Sequence, residues 1–235
     1  LGLTLAVVAI VSGALIVGAL IGVNGKLRPR TEGFIVALAG GALLLSLVTE
    51  LIEPTLEKST IWMVVPGVVT GAMLFTAIDY WIDEKWGSNS GGGLLAAVTT
   101  DGIPENLALG VALIAAGPKE VAALAASILL SNLPEAASGA RSMRENQKWS
   151  KGKVIGVWAA TAAILSAAAI VGNVAFAGVS EHVLGFVRCV AAGAVVASLG
   201  TEVFPKAYKE DAHTVGIATA LGVLLALILS EIGGG

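Results

Sequence analysis

The chain has 235 residues, of which 56% are hydrophobic and only 13% charged, with a mean hydropathy of +0.87. A soluble domain carries about 25% charged residues, and the apolar content here runs the whole length, so a sizeable soluble domain is excluded and one membrane domain over residues 1–235 is expected. The net charge of −3 is uninformative beside where the charges lie, no nucleic-acid partner is expected, and the single Cys189 excludes an intramolecular disulfide and a cysteine-built metal site.

A transmembrane helix needs about 20 predominantly apolar residues. Eight such spans are predicted, at 3–23, 31–52, 61–81, 93–115, 120–140, 153–176, 183–203 and 213–232. The expected fold is therefore an all-α, eight-helix membrane bundle. The first span is long enough to cross the bilayer rather than serve as a separate signal peptide. The segments between spans carry turn and charge signals, among them "NGKLRPR", "EPTLEKST", "RSMRENQKWSKGK" and "PKAYKEDAH".

Eight crossings put both termini on one side, so basic residues can be sorted by side. One side holds Lys26, Arg28, Arg30, Lys85, Arg141, Arg144, Lys148, Lys151, Lys153, Lys206 and Lys209. The other holds Lys58, Lys119 and Arg188. The positive-inside rule places the rich side in the cytoplasm and both termini outside, in a multi-pass protein of the plasma membrane.

Two internal repeats are visible. "GALLLSLVTE" from Gly41 in span 2 matches "GAVVASLGTE" from Gly193 in span 7, at an offset of 152. Each is followed within four residues by a proline, Pro54 and Pro205. "DGIPE" in span 4 matches "SNLPE" in span 5, at an offset of 30. Both pairs join spans of opposite direction, which makes them inverted repeats, and inverted repeats with interrupted spans point to a transporter with a midplane site.

The Pro-Glu pairs carry the chemistry. Proline lacks an N–H, so Pro104 and Pro134 free the carbonyls of Thr100 and Leu130. In lipid a free carbonyl is tolerated only against protein or a polar cavity. Asp101 and Glu105 are four apart and share a helical face, as do Ser131, Asn132 and Glu135. Folded antiparallel, the two spans would bring three carboxylates together, and their repulsion needs a proton, a base or a metal cation. No Lys, Arg or His lies near the middle of either span. A divalent cation exchanging with protons is the expected answer, with oxygen ligands that suit a hard or borderline ion. Asn106 is open between a ligand and an interhelical amide.

At these residues the chain resembles the ZIP (Zrt-, Irt-like protein) family of divalent metal transporters, and most closely its GufA-like branch. The resemblance implies eight spans, termini outside and a metal site between spans 4 and 5. The family's span-4 motif, His-Asn-x-Pro-Glu-Gly, is matched by Asp101, Gly102, Ile103, Pro104, Glu105 and Asn106. Its span-5 motif is matched by Ser131, Asn132, Leu133, Pro134, Glu135 and Ala136. "GAMLFTAIDYWID" and "AAGAVVASLGTEVFP" resemble its spans 3 and 7. The chain departs from the family at Asp101, Gly102 and Ser131, and span 6 lacks the branch's Glu-Pro. What remains is one site rather than a two-metal centre: Asp101, Glu105, Asn132 and Glu135, with Ser131 beside them. The resemblance implies zinc, manganese or iron as cargo, and no organic cofactor.

Other charges are less marked. Glu50 and Glu202 end spans 2 and 7 and occupy equivalent repeat positions, either as outer and inner mouths of an ion path or as ordinary interfacial carboxylates. Asp79 and Asp83 lie one turn apart at the cytoplasmic end of span 3, as an exit relay or as solvated residues. Arg188 lies just inside span 7, snorkelling or paired with an acid such as Glu50. The small-residue patches of spans 2 and 7 leave open close packing within the subunit or a homodimer face. An intramembrane enzyme is not expected, since no span interior holds a Ser-His pair or a second catalytic Asp. Two rivals to a metal permease stand: a proton- or sodium-coupled carrier of another solute, and a metal-binding paralogue that does not transport.

Overall fold

A computed structural model describes residues 2–25, 28–86, 91–115 and 121–234. Lys26 and Lys119, sorted by side above, lie outside these residues, as do the loop segments 87–90 and 116–120. Eight long helices account for the bundle: α1 (Gly2–Asn24), α2 (Pro29–Lys58), α3 (Ile61–Trp86), α4 (Gly91–Ala115), α5 (Ala122–Glu145), α6 (Lys151–Ala175), α7 (Glu181–Glu210) and α8 (Val215–Gly234). No strand occurs among the described residues. Among the described residues six of the eight, all but α4 and α5, form stretches long and apolar enough to cross a membrane.

The exceptions are the two Pro-Glu helices. Much of α5 faces protein, with Ser127, Ser131 and Asn132 among its buried residues. A helix wrapped by other helices does not need an apolar surface, so low hydropathy is what an interior position allows.

The sequence places the ends of spans 2 and 7 at or before Pro54 and Pro205, but both helices continue through their prolines. The reason is local. Just before each proline the helix widens into one π-helical turn, Val48–Ile52 in α2 and Leu199–Val203 in α7. There the N–H of Glu53 donates to the carbonyl of Val48, and that of Phe204 to Leu199, each five residues back. The wider turn absorbs the clash of a proline ring with the preceding turn, and such turns are frequent at functional sites. Glu50 and Glu202 sit within these turns.

Without a hydrophobic effect between helices in lipid, association depends on how closely backbones approach. Glycines set that approach in matched pairs. A side chain at Gly41 would strike the carbonyl of Thr219 in α8, and one at Gly222 that of Leu38 in α2. In the other repeat, Gly193 faces the carbonyl of Val68 in α3, and Gly71 that of Val190 in α7. Thus α2 packs on α8 as α7 packs on α3. The small-residue patches at Gly41 and Gly193 are filled within the subunit. The same correspondence relates α1 on α5 to α6 on α4: Gly22 lies against the Ala137 carbonyl and Gly172 against that of Leu107. Asparagines tie these parallel pairs, Asn132 Nδ2 donating to the Val11 carbonyl at 3.2 Å and Asn173 Nδ2 to that of Gly110 at 3.1 Å.

The start of α2 lies beside the end of α7, and the end of α2 beside the start of α7. Gly33 approaches Ala207, and Gly185 approaches Thr55. Applying the offset of 152 to Gly33 and Thr55 gives Gly185 and Ala207, so the two contacts are images of one another. The repeat seen in the sequence is therefore a pseudo-two-fold, with its halves inverted.

One end of the bundle is basic. There Lys151 Nζ donates to Asn24 Oδ1 at 2.7 Å, Arg141 pairs with Glu145 at 3.1 Å, and Lys153 lies 3.7 Å over the Trp149 ring. Between α7 and α8, Asp211 accepts from the Thr214 hydroxyl at 2.7 Å and the His213 N–H at 3.2 Å. The Thr214 bond first, then the backbone bonds, hold its carboxyl below the usual range. The opposite end carries Lys58, bridged to Glu181 at 3.0 Å.

The crossings make a direct test. Gly222→Ala and Gly193→Ala should each lower the thermal midpoint, with a cost of about 1–3 kcal/mol for overpacking against backbone. Gly156→Ala, where a side chain meets nothing within 4 Å, should be neutral or slightly stabilising. Thermal unfolding of the three purified variants in detergent reads this, and equal effects would contradict the assignment of the crossings.

Candidate functional site

A cavity of about 260 Å³ lies between α4, α5, α7 and α2. Ser131, Glu135, Ser138 and Ser142 line it from α5. They recur at three- and four-residue steps, so one face of α5 forms a polar track running toward the basic end. Asp101 and Val98 face it from α4, Glu202, Val203 and Lys206 from α7, and Val36 from α2. The wall thus collects carboxylates from three segments far apart in sequence.

The sequence-predicted residues divide. Asp101, Ser131, Glu135 and Glu202 come together on the cavity wall. Glu105 is 4% exposed and is not among the lining residues, although it stands in the field of Glu135. Asn132 is also off the wall, its amide committed to Val11. Asn106 donates from Nδ2 to the Gly102 carbonyl of its own helix at 2.9 Å, and its buried Oδ1 accepts no hydrogen bond. Asp79 is half-buried and acts on Asp101 from α3. Among the described residues no three Asp, Glu, His or Cys side chains are grouped closely enough to cage a metal ion by themselves.

Asp101 is the electrostatic focus. The charges acting on it are those of Glu135, Glu202, Glu105 and Asp79, in decreasing order. Its Oδ1 is enclosed and makes no hydrogen bond to the protein. Two further residues, not assigned to the site from the sequence, stand here: Lys206, whose positive charge moderates this concentration of negative charge, and Glu32, which adds one more carboxylate beside it. Lys206 lines the cavity and its charge acts on Glu135, and Glu32 at the start of α2 lies 3.7 Å from the Lys206 Nζ. Lys206 follows Glu202 by one helical turn, a spacing that could have flagged it.

The pseudo-two-fold relates this cavity to a region in the other half of the bundle. Offsets of 152 and 30 carry Val36 to Arg188, Glu202 to Glu50, Val203 to Leu51, Glu135 to Glu105, and Val98 to Ile128. The polar track of Ser138, Gly139 and Ser142 becomes Ala108, Leu109 and Ala112. Leu51, Ala108, Leu109, Ala112 and Ile128 all belong to one tightly packed apolar cluster, each 2% exposed or less. One half of the molecule is therefore an open polar cavity and its image is solid core. Arg188, 2% exposed, sits where Val36 leaves space in the other half.

Glu50 shows how the closed half is held. Its Oε1 accepts from the N–H of Leu124 at 3.0 Å, in the first turn of α5. That turn carries unsatisfied donors and the positive end of the helix dipole. The charge partner of Glu50 is thus a helix N-terminus rather than Arg188, and the charge that reaches Arg188 most strongly is that of Glu181.

Single-cysteine reporters read this asymmetry. In a Cys189→Ala background, Ser138→Cys should react with a hydrophilic maleimide, whereas Ala108→Cys, its image in the packed half, should react at least about tenfold more slowly. Equal rates in purified protein would contradict the difference between the halves. Among known proteins, no family model matches the chain and no curated protein matches it, so the functional reading rests on the chemistry of this cavity.

Proposed function

We propose that the chain is a permease for divalent metal cations of the zinc, manganese or iron class, and that the cavity is its substrate site. The observation that carries this reading is Asp101. Its Oδ1 is enclosed without a hydrogen bond, on a wall that also presents Glu135, Glu202 and Ser131. Carboxylates gathered in a bundle interior repel one another, and a cation is the ligand that relieves them. All donors are oxygen, which suits manganese and iron, and zinc in an oxygen-rich site. About 260 Å³ is room for several waters at roughly 30 Å³ each. The cargo would sit partly hydrated, held by Asp101, Glu135 and Ser131 with waters completing its shell. That arrangement is consistent with the lack of a three-carboxylate cage among the described residues.

The reading takes all eight helices as membrane spans, both termini outside and the basic end in the cytoplasm, by the positive-inside rule. The cavity then faces inward and the packed cluster closes the outer half. Exchange of the two arrangements across the pseudo-two-fold would carry the site from one side to the other. The resemblance of the paired Pro-Glu motifs to the ZIP family supports the same conclusion.

Uptake into proteoliposomes tests it. Wild type should accumulate at least one of Zn²⁺, Mn²⁺ and Fe²⁺, and Asp101→Asn and Glu135→Gln should each cut the rate at least about tenfold. Binding without uptake in wild type would mark a non-transporting paralogue. Neither binding nor uptake would move the reading to a proton- or sodium-coupled carrier of another solute.

A further inference from the structure

Among the described lining residues Lys206 alone is basic, and it stands between Glu32 and the cavity acids. On one side is Glu32, a residue 8% exposed at the start of α2, whose Oε1 lies 3.7 Å from the Lys206 Nζ. That is ion-pair distance but too long for a hydrogen bond, and this Oε1 is enclosed with no hydrogen-bond partner. On the other side are the cavity acids, where the Lys206 charge acts on Glu135. The ammonium is therefore held loosely by a buried carboxylate while it compensates a second group. Lysine carries its charge on a flexible four-carbon stem, so it can move between the two sides without moving α7.

We propose that Lys206 is a tethered cation that offsets the cavity acids when no cargo is present and withdraws onto Glu32 when a metal ion binds. This rests on the reading of the cavity as a cation site. Lys206 is then a positioning residue that sets affinity by competition, and Glu32 is the group that receives it. The device is one-sided, because the pseudo-two-fold image of Lys206 is Pro54, which has no charge. An ion held in the inner cavity competes with a like charge borne on the cavity wall, which shortens its residence there. The packed outer half has no such group at the equivalent position.

The two residues act in opposite directions. Without the ammonium, cation binding should tighten about tenfold or more, the scale of one like charge close to the site at protein-like screening. Without Glu32 the ammonium is driven into the cavity and binding should weaken several-fold. The effect of Glu32 needs Lys206 and should vanish in its absence, a non-additivity that a merely structural role would not produce.

The test is Mn²⁺ binding to purified full-length protein, followed by the loss of the free-ion electron paramagnetic resonance signal. Lys206→Met should bind about tenfold more tightly than wild type, and Lys206→Arg should stay near wild type. Glu32→Gln should bind several-fold more weakly, and the double variant should match Lys206→Met. Lys206→Gln removes the same charge and decides the matter if the methionine variant does not assemble. Unchanged or weaker binding on loss of the Lys206 charge overturns this inference alone, as does an additive double variant. Absence of Mn²⁺ binding by wild type, and by the variants, overturns the cation reading and this inference with it.

Discussion

A carboxylate inside a helical bundle must find water, a hydrogen bond or a counter-charge, and the polar features of this interior answer that requirement. Glu50 is met by the N-terminal turn of α5, through the N–H of Leu124. Asp101, Glu135 and Glu202 are met by a cavity, with Lys206 at its wall. The cost of an unpaired buried charge is large. These solutions are consequently tied to the backbone: a helix end, a widened turn before a proline, and a serine track down one face of α5. Remove the acids and α4 and α5 would have no need of polar surroundings.

The second organising feature is a symmetry that the two halves do not share equally. The packing of α2 on α8 repeats that of α7 on α3, glycine for glycine, and the π-helical turns before Pro54 and Pro205 repeat as well. The side chains on the paired surfaces differ in character. Ser138, Gly139 and Ser142 leave a polar cavity, while Ala108, Leu109 and Ala112 close into the apolar core. Two backbones of similar shape with different linings give two unequal occupancies of one geometry. The proposed carrier uses that inequality, because an exchange of arrangements needs two related states and not two identical ones.

Much of this was legible in the sequence, for definable reasons. Helix positions follow from apolar length, and the repeats at Gly41 and Gly193 were visible because small residues at a backbone crossing tolerate few replacements. The convergence of Asp101, Ser131 and Glu135 followed from helical periodicity and an antiparallel pairing. The continuation of α2 and α7 through their prolines was not legible, because a π-helical turn changes hydrogen-bond register without a distinct residue signature. Lys206 lies beyond Pro205, where the charges of "PKAYKEDAH" read as a connection, so no local pattern beyond its one-turn spacing from Glu202 assigns it to the cavity. Asn132 and Glu105 come to the site by helical spacing and by the resemblance of the two Pro-Glu motifs, neither of which fixes where a neighbouring helix lies. The 3.2 Å bond from Asn132 to Val11 depends on α1, whose approach no local pattern in α5 specifies. The packed image of the cavity could have been found by carrying the offset of 30 from Ser138, Gly139 and Ser142 to Ala108, Leu109 and Ala112.

On the proposed function, the cavity between α4, α5 and α7 holds a divalent cation. Anomalous X-ray diffraction from crystals grown with Mn²⁺ or Zn²⁺ tests it most directly. One strong anomalous peak is expected in the cavity, within coordination distance of a carboxylate oxygen of Asp101 and one of Glu135. A peak only at the membrane-exposed surface, or no peak at metal concentrations that support transport, would contradict it.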